Sequence, residues 1–325
     1  MGRARRALIT GGAGFIGSHL AEALLNQGWH VSVIDDLSTG SMENIDHLIE
    51  RAEFNHIIDT VTNQTLMAEL IDRADVVYHL AAAVGVRLIF DDPIHTIETN
   101  ILGTQVVLQL AAKKGKRVLI ASTSEVYGKG NSVPFAETDD MVLGPTTCPR
   151  WSYACSKQID EFLALAYHEQ HQLPVIVARF FNTVGPRQVG RYGMVIPRFV
   201  ESALRDQPLI IHGDGQQTRC FIDVRDTVRA ITALMAGDEH TGQVYNIGGD
   251  REISINDLAQ LVKKRADSSS EIVHESYESI YGPKFEDLGR RAPDIGKLRS
   301  AIGFEFEHKI ETIIDRIIAY YRERI

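Results

Sequence analysis

Tyr153 and Lys157 lie four residues apart in Ser152 to His171, a stretch whose periodicity predicts one long helix. That spacing puts both side chains on one helix face, with Cβ atoms roughly 5–6 Å apart. A tyrosine phenol is a poor base, with a reference pKa of about 10. A neighbouring ammonium and a cationic nicotinamide ring would both favour its phenolate. Tyr153 then has the chemistry to take a proton from a hydroxyl while hydride leaves the carbon for a nicotinamide, and Lys157 to hold the nicotinamide ribose. Tyr-x-x-x-Lys is common on exposed helices, so this reading requires a dinucleotide site elsewhere in the chain.

Residues 7–17 supply one. Ala7 to Thr10 is short, apolar and β-prone, and Gly11, Gly14 and Gly17 follow at three-residue spacing. A helical pattern then runs through Phe15, Ile16, Leu20 and Leu24. A strand turning through glycines into a helix N-terminus is an anion site, because free N–H groups and the helix dipole face the ligand and a pyrophosphate can come close. Trp29 to Ile34 reads as the next strand and ends at Asp35, 18 residues beyond Gly17. A carboxylate there accepts from the adenosine ribose hydroxyls and repels a 2′-phosphate, which predicts NAD rather than NADP. Leu80, Ala81 and Ala82 close a further strand, Asp75 to Leu80, with small residues against which a flat cofactor can lie.

Strands at Phe54 to Ile58, Arg117 to Ala121 and Val175 to Ala178 alternate with helices at Thr65 to Ile71, Ile97 to Lys114 and Ser152 to His171. The alternation predicts an α/β fold, a Rossmann-type doubly wound parallel sheet with a smaller α/β substrate-binding lobe. The expected division is an NAD-binding domain over 1–178, with returning segments near 224–250, and a mainly substrate-binding lobe over 179–325. Ligands of such sheets sit at the carboxyl ends of the strands. There the fifth strand leads into Ser122-Thr123-Ser124-Glu125. Thr123 can hydrogen-bond a substrate oxygen beside Tyr153, and Glu125 can order a water or assist a proton transfer. Beyond residue 180, helices are expected at Val224 to Met235, Ile255 to Arg265 and about 309–323, a strand at Val244 to Ile247, and irregular chain over Tyr277 to Pro293.

The 325 residues are 44% hydrophobic and 24% charged, with a net charge of −9, which argues against nucleic acid as a partner. No uninterrupted apolar stretch is long enough to span a membrane. The basic start, Met1 to Arg6, lacks the apolar run and cleavage site of a signal peptide. The three cysteines fit neither a zinc pattern nor a disulfide framework, so no metal is expected and the cytoplasm is the expected compartment. Cys155 is expected to be a buried small residue.

With Thr10-Gly11-Gly12-Ala13-Gly14-Phe15-Ile16-Gly17 and Tyr153-x-x-x-Lys157, the chain resembles the extended short-chain dehydrogenase/reductases that act on nucleotide-sugars. The resemblance covers nearly the whole chain and extends to Arg179 through Arg187 and Gly213 through Arg219. It implies that Asp59 meets the adenine, that Asn182 and Arg219 contact the nucleotide-sugar, and that Arg291 reaches the pyrophosphate or sugar. It further implies a homodimer formed through the helices near 97–114 and 152–171. The 4,6-dehydratases carry an acid where this chain has Ser124, which disfavours dehydration. Thr123-Ser124-Glu125 is the pattern of UDP-glucuronate decarboxylases, which also share Pro149-Arg150-Trp151 and Arg219-Cys220-Phe221. Val84 to Arg87 departs from the proline-rich stretch of many decarboxylases and looks closer to epimerases. A UDP-glucuronate decarboxylase is the leading expectation, with Arg87 pairing the sugar carboxylate and Ser124 at the substrate. A UDP-sugar 4-epimerase is the alternative, and a non-catalytic NAD-sensing protein a third.

Overall fold

The computed structural model describes residues 4–84, 92–130, 132–190, 194–281 and 289–325. Seven short strands rich in valine and isoleucine form its main sheet: β1 (Arg6–Thr10), β2 (His30–Asp35), β3 (Phe54–Ile58), β4 (Val76–His79), β5 (Arg117–Thr123), β6 (Val175–Phe180) and β7 (Gln243–Ile247). Their order is β3-β2-β1-β4-β5-β6-β7, and every pair is parallel. Leu8, Ile9, Val118 to Ile120 and Val175 to Ala178 are buried. These runs are continuous rather than alternating because both faces of the sheet are covered.

The covering helices are α1 (Phe15–Asn26), α2 (Gln64–Arg73), α3 (Pro93–Lys114) and α4 (Arg150–His171), followed by α5 (Val195–Leu204), α6 (Val224–Leu234), α7 (Ile255–Ala266) and α8 (Ile310–Arg322). On one face Leu20 and Leu24 of α1 pack with Ile231 and Leu234 of α6 and with Leu298. On the other, Met67 of α2, Val107 and Ala111 of α3 and Ala164 of α4 cover the sheet. A separate apolar cluster joins α5, α7 and α8 through Phe199, Leu258, Ile314 and Ile317, with Leu209 and Ile211 of the strand Leu209–His212.

The chain changes direction between β1 and β4. Strands on the two sides of that point send their crossovers to opposite faces, which opens a crevice at the strands' carboxyl ends. Gly11, Leu80 and Thr123 all lie beside it.

Three details differ from the sequence reading. Helix α3 begins at Pro93 rather than Ile97, because Asp92 caps it, its Oδ1 accepting from the His95 N–H at 3.1 Å, with proline in the first turn. Tyr277 to Pro293 is not wholly irregular: Tyr277–Tyr281 is helical and Arg290–Arg291 is a short strand. Cys155 is exposed rather than buried. The buried face of α4 carries Tyr153, Ala154, Ser156, Lys157, Asp160 and Ala164, and position 155 falls outside that arc.

Candidate active site

The turn after β1 is built for close backbone approach. Gly11 has φ +70°, and a Cβ there would sit 2.8 Å from the Ala81 nitrogen. A Cβ on Gly17 would land on the Gly11 carbonyl oxygen and 2.8 Å from the Gly12 Cα. Helix α1 starts from Gly14 with no side-chain cap and no acidic residue in its first turn. Gly14, Phe15, Ile16 and Gly17 border a cavity of about 610 Å³ that continues past Asp35, Asp59, Leu80, Ala81 and Ala82 to Tyr153 and Lys157. An uncapped helix N-terminus over a side-chain-free turn fits a pyrophosphate. The Asp35 carboxylate is held by the Ala13 N–H at 3.0 Å and the Leu37 N–H at 2.9 Å, and burial raises its pKa. Asp59 accepts from the Thr60 N–H at 2.7 Å and the Asn63 amide at 2.9 Å. Both acids are thus fixed before a ligand arrives, as a dinucleotide site requires.

Further along the cavity, α4 brings Tyr153 beneath the end of β5. The Thr123 hydroxyl and the Tyr153 phenol border the same stretch of the cavity. Burial raises the phenol's pKa, Glu125 and Asp160 add to the rise, and the Thr123 hydroxyl opposes it. Lys157 does not act on the phenol directly here. Its ammonium donates to Asp160 Oδ2 at 2.7 Å, and both side chains are buried.

Glu125 lies beside this pair in a cationic enclosure. Arg150, the first residue of α4, donates to its two oxygens at 3.3 and 3.1 Å, and Arg291 pairs with Oε1. Burial alone would raise the Glu125 pKa, but Arg291, Arg150 and, more weakly, Arg219 outweigh it and hold the group at about 2. Glu125 is therefore an anion at neutral pH and has no proton to give. Arg291 reaches it because Arg290–Arg291 pairs with the strand Thr218–Cys220, Arg291 opposite Arg219. Asn182 lies on the same wall, its φ at +32° and its amide donating to the Cys220 carbonyl at 2.9 Å.

A protein-family model described as GDP-mannose 4,6 dehydratase matches residues 8–317. The chain belongs to this family. It is an extended short-chain dehydrogenase/reductase of the nucleotide-sugar epimerase and dehydratase type. It is 43% identical to a UDP-N-acetyl-alpha-D-glucosaminuronate decarboxylase of Bacillus cytotoxicus over 98% of both chains. Identity to UDP-glucuronic acid decarboxylase 1 of Xenopus tropicalis is 36%, over 99% of this chain and 73% of the relative. Among solved structures, a UDP-glucuronic acid 4-epimerase from Bacillus cereus, in complex with UDP-glucuronic acid and NAD, superposes with a TM-score of 0.89. That pair is 30% identical, covering 98% of this chain and all of the other.

In this family member the cavity gathers nearly every residue singled out from the sequence: the three glycines, Phe15, Ile16, Asp35, Asp59, Leu80 to Ala82, Thr123 to Glu125, Tyr153, Lys157, Asn182, Arg219 and Arg291. Arg87 lies outside the described residues. Two participants carried no assigned role in the sequence reading. Arg150 stood in the quoted Pro149-Arg150-Trp151, and its place at the start of the tyrosine helix was the available signal. Asp160 lies three residues beyond Lys157, a same-face spacing that marks a counter-ion.

Proposed function

We propose that this enzyme is an NAD-dependent nucleotide-sugar decarboxylase acting on a UDP-hexuronate through a 4-keto intermediate. UDP-glucuronate is the reference substrate. UDP-N-acetylglucosaminuronate is the second candidate, favoured by the 43% identity to a decarboxylase of that name. The observation that carries the reading is the arginine enclosure of Arg150 and Arg291 beside the Thr123–Tyr153 pair. It gives the sugar end of the cavity paired cationic donors of the geometry that binds carboxylates. Ser124, buried between Thr123 and Glu125, supplies no acid for a dehydration.

Gly11, Gly14 and Gly17 would hold the NAD pyrophosphate, Asp35 the adenosine ribose and Lys157 the nicotinamide ribose. When bound, NAD⁺ accepts a hydride from the sugar and later returns it. The protein's part begins with Tyr153, which as the phenolate takes the proton of the C4 hydroxyl and becomes the phenol. With a ketone at C4, the C5 carboxylate is β to a carbonyl. The C5–carboxyl bond breaks, CO₂ leaves, and the electron pair moves onto the C4 oxygen. Thr123 and Tyr153 are placed to hydrogen-bond that enolate oxygen, where charge develops. Glu125, held as an anion, keeps the arginines in register and does not serve as the proton donor.

The test is turnover of carboxyl-labelled UDP-glucuronate and UDP-N-acetylglucosaminuronate, followed by NMR without added cofactor and then with NAD⁺. Labelled bicarbonate with an unlabelled UDP-pentose supports the proposal. Label retained in a C4 epimer would make the enzyme a uronate 4-epimerase, and neither product from either sugar would refute the carboxylate reading.

A further inference from the structure

Lys157 sits near a buried polar chain that links α3, β4 and β1. Its ammonium is 2.7 Å from Asp160 Oδ2, and the two residues are 2% and 0% exposed. The carboxylate's other oxygen, Oδ1, is buried without a hydrogen-bond partner. Nearby, Thr104 on α3 begins a second run of buried polar groups. Thr104 Oγ1 lies 3.1 Å from His79 Nε2, and His79 Nδ1 lies 2.8 Å from Thr10 Oγ1. Thr10 Oγ1 in turn accepts the Ala81 N–H at 3.2 Å. Thr104, His79 and Thr10 are all buried.

The His79 ring carries no charge, because burial, and after it the Lys157 ammonium, lower its pKa to about 3. One ring nitrogen therefore donates and the other accepts, so the ring joins Thr10 to Thr104 without placing a second cation near Lys157.

We propose that Asp160 is a positioning residue for the reaction: its buried carboxylate clamps Lys157, cancels the ammonium charge beneath Tyr153, and thereby sets the pH range over which the enzyme turns over. The neighbouring acid does not share this task, since Glu161 is engaged with Arg179 at 2.7 Å. The charged groups facing the phenol are Glu125 from the end of β5, itself held by Arg150 and Arg291, and Lys157 and Asp160 from its own helix. With Asp160 ionised, the ammonium and the carboxylate offset each other at Tyr153. With asparagine there, shape and a hydrogen-bond acceptor are kept but the ammonium is uncompensated. The phenolate then forms more easily. At two helical turns' separation and an intermediate effective dielectric, the change is about one pH unit, or roughly tenfold more phenolate at a given pH.

The proposal rests on Tyr153 as the proton acceptor, and its test reads that phenol without turnover. The NAD-loaded enzyme is titrated by difference ultraviolet absorbance, with Tyr153→Phe as the blank, in wild type and in Asp160→Asn. A Tyr153 midpoint about one pH unit lower in the variant, followed by the acid limb of kcat, is the expected result. An unmoved midpoint overturns it. Asp160→Ser gives a second route should Asp160→Asn fail to fold. It also removes the charge, so the same downward shift is expected, while none overturns the proposal. A shifted phenol in an enzyme that releases no CO₂ would count against the substrate reading and leave the role of Asp160 standing.

Discussion

Lowering the pH tests whether Glu125 is an acid or a fixed anion. Arg291 and Arg150 outweigh burial and hold it at about 2, against an ordinary 4.5. Each pH unit of such a difference is worth 1.36 kcal/mol, so the ionised group contributes about 3 kcal/mol to folding at pH 7. Its side chain is 18% exposed, so solvent screening removes little of this. Because the folded value lies below the unfolded one, the contribution is whole above about pH 5. It declines once the unfolded chain takes up its proton near 4.5 and is gone below about 2. By pH 4 about 1 kcal/mol has been lost. Glu125→Gln has no such titration and leaves the arginines facing a neutral acceptor. The assay is urea unfolding of both proteins at pH 7 and pH 4. The wild-type advantage should shrink by about 1 kcal/mol between them. A gap that stays constant, or widens toward pH 4, refutes the anion and restores Glu125 as a proton donor.

Four further outcomes follow from the same geometry. Gly17→Ala forces a Cβ onto the Gly11 carbonyl. The overpacking costs about 1–3 kcal/mol, only partly offset by the better helix former, and calorimetry should show NAD affinity reduced more than tenfold. Asp35→Asn keeps the shape but removes the charge facing the ribose. The NAD over NADP preference, measured by cofactor binding, should fall about tenfold, the size of one charged hydrogen bond. Tyr153→Phe should retain NAD while kcat drops by roughly 10²–10⁴, the range of a general base; near-normal turnover would exclude Tyr153 as the proton acceptor. Ile94 and Leu102 on α3 and Phe162 on α4 are exposed, with Phe162 at 71%. These helices should pair between two copies, and light scattering at micromolar concentration should report twice the 36.2 kDa chain mass. A single-chain mass would contradict the dimer.

Much of the site was legible because it depends on local rules. The Gly11–Gly14–Gly17 spacing encodes backbone that must approach a neighbour and tolerate no side chain, and the buried contacts of Gly11 and Gly17 are the physical form of that demand. Element edges were less legible. The start of α3 at Pro93 depends on the Asp92 cap, a signal present in the residues but weaker than the apolar period that begins later. The short strand Arg290–Arg291 has no periodicity of its own and exists because the strand Thr218–Cys220 lies beside it.

The sequence by itself determined the alternation of strand and helix, the glycine turn after β1, the carboxylate at the end of β2 and the shared helix face of Tyr153 and Lys157. All of these follow from periods of two and 3.6 residues and from the conformational freedom of glycine. Only the tertiary structure decided which charges meet. Glu125 and Arg291 are 166 residues apart in the chain, and His79 and Thr104, which meet in the interior, come from separate elements. Sequence separation carries no information about such distances. They are set by how the helices and strands pack and by which buried ions find partners, and those pairings decide that Glu125 is an anion and that Lys157 is clamped to Asp160.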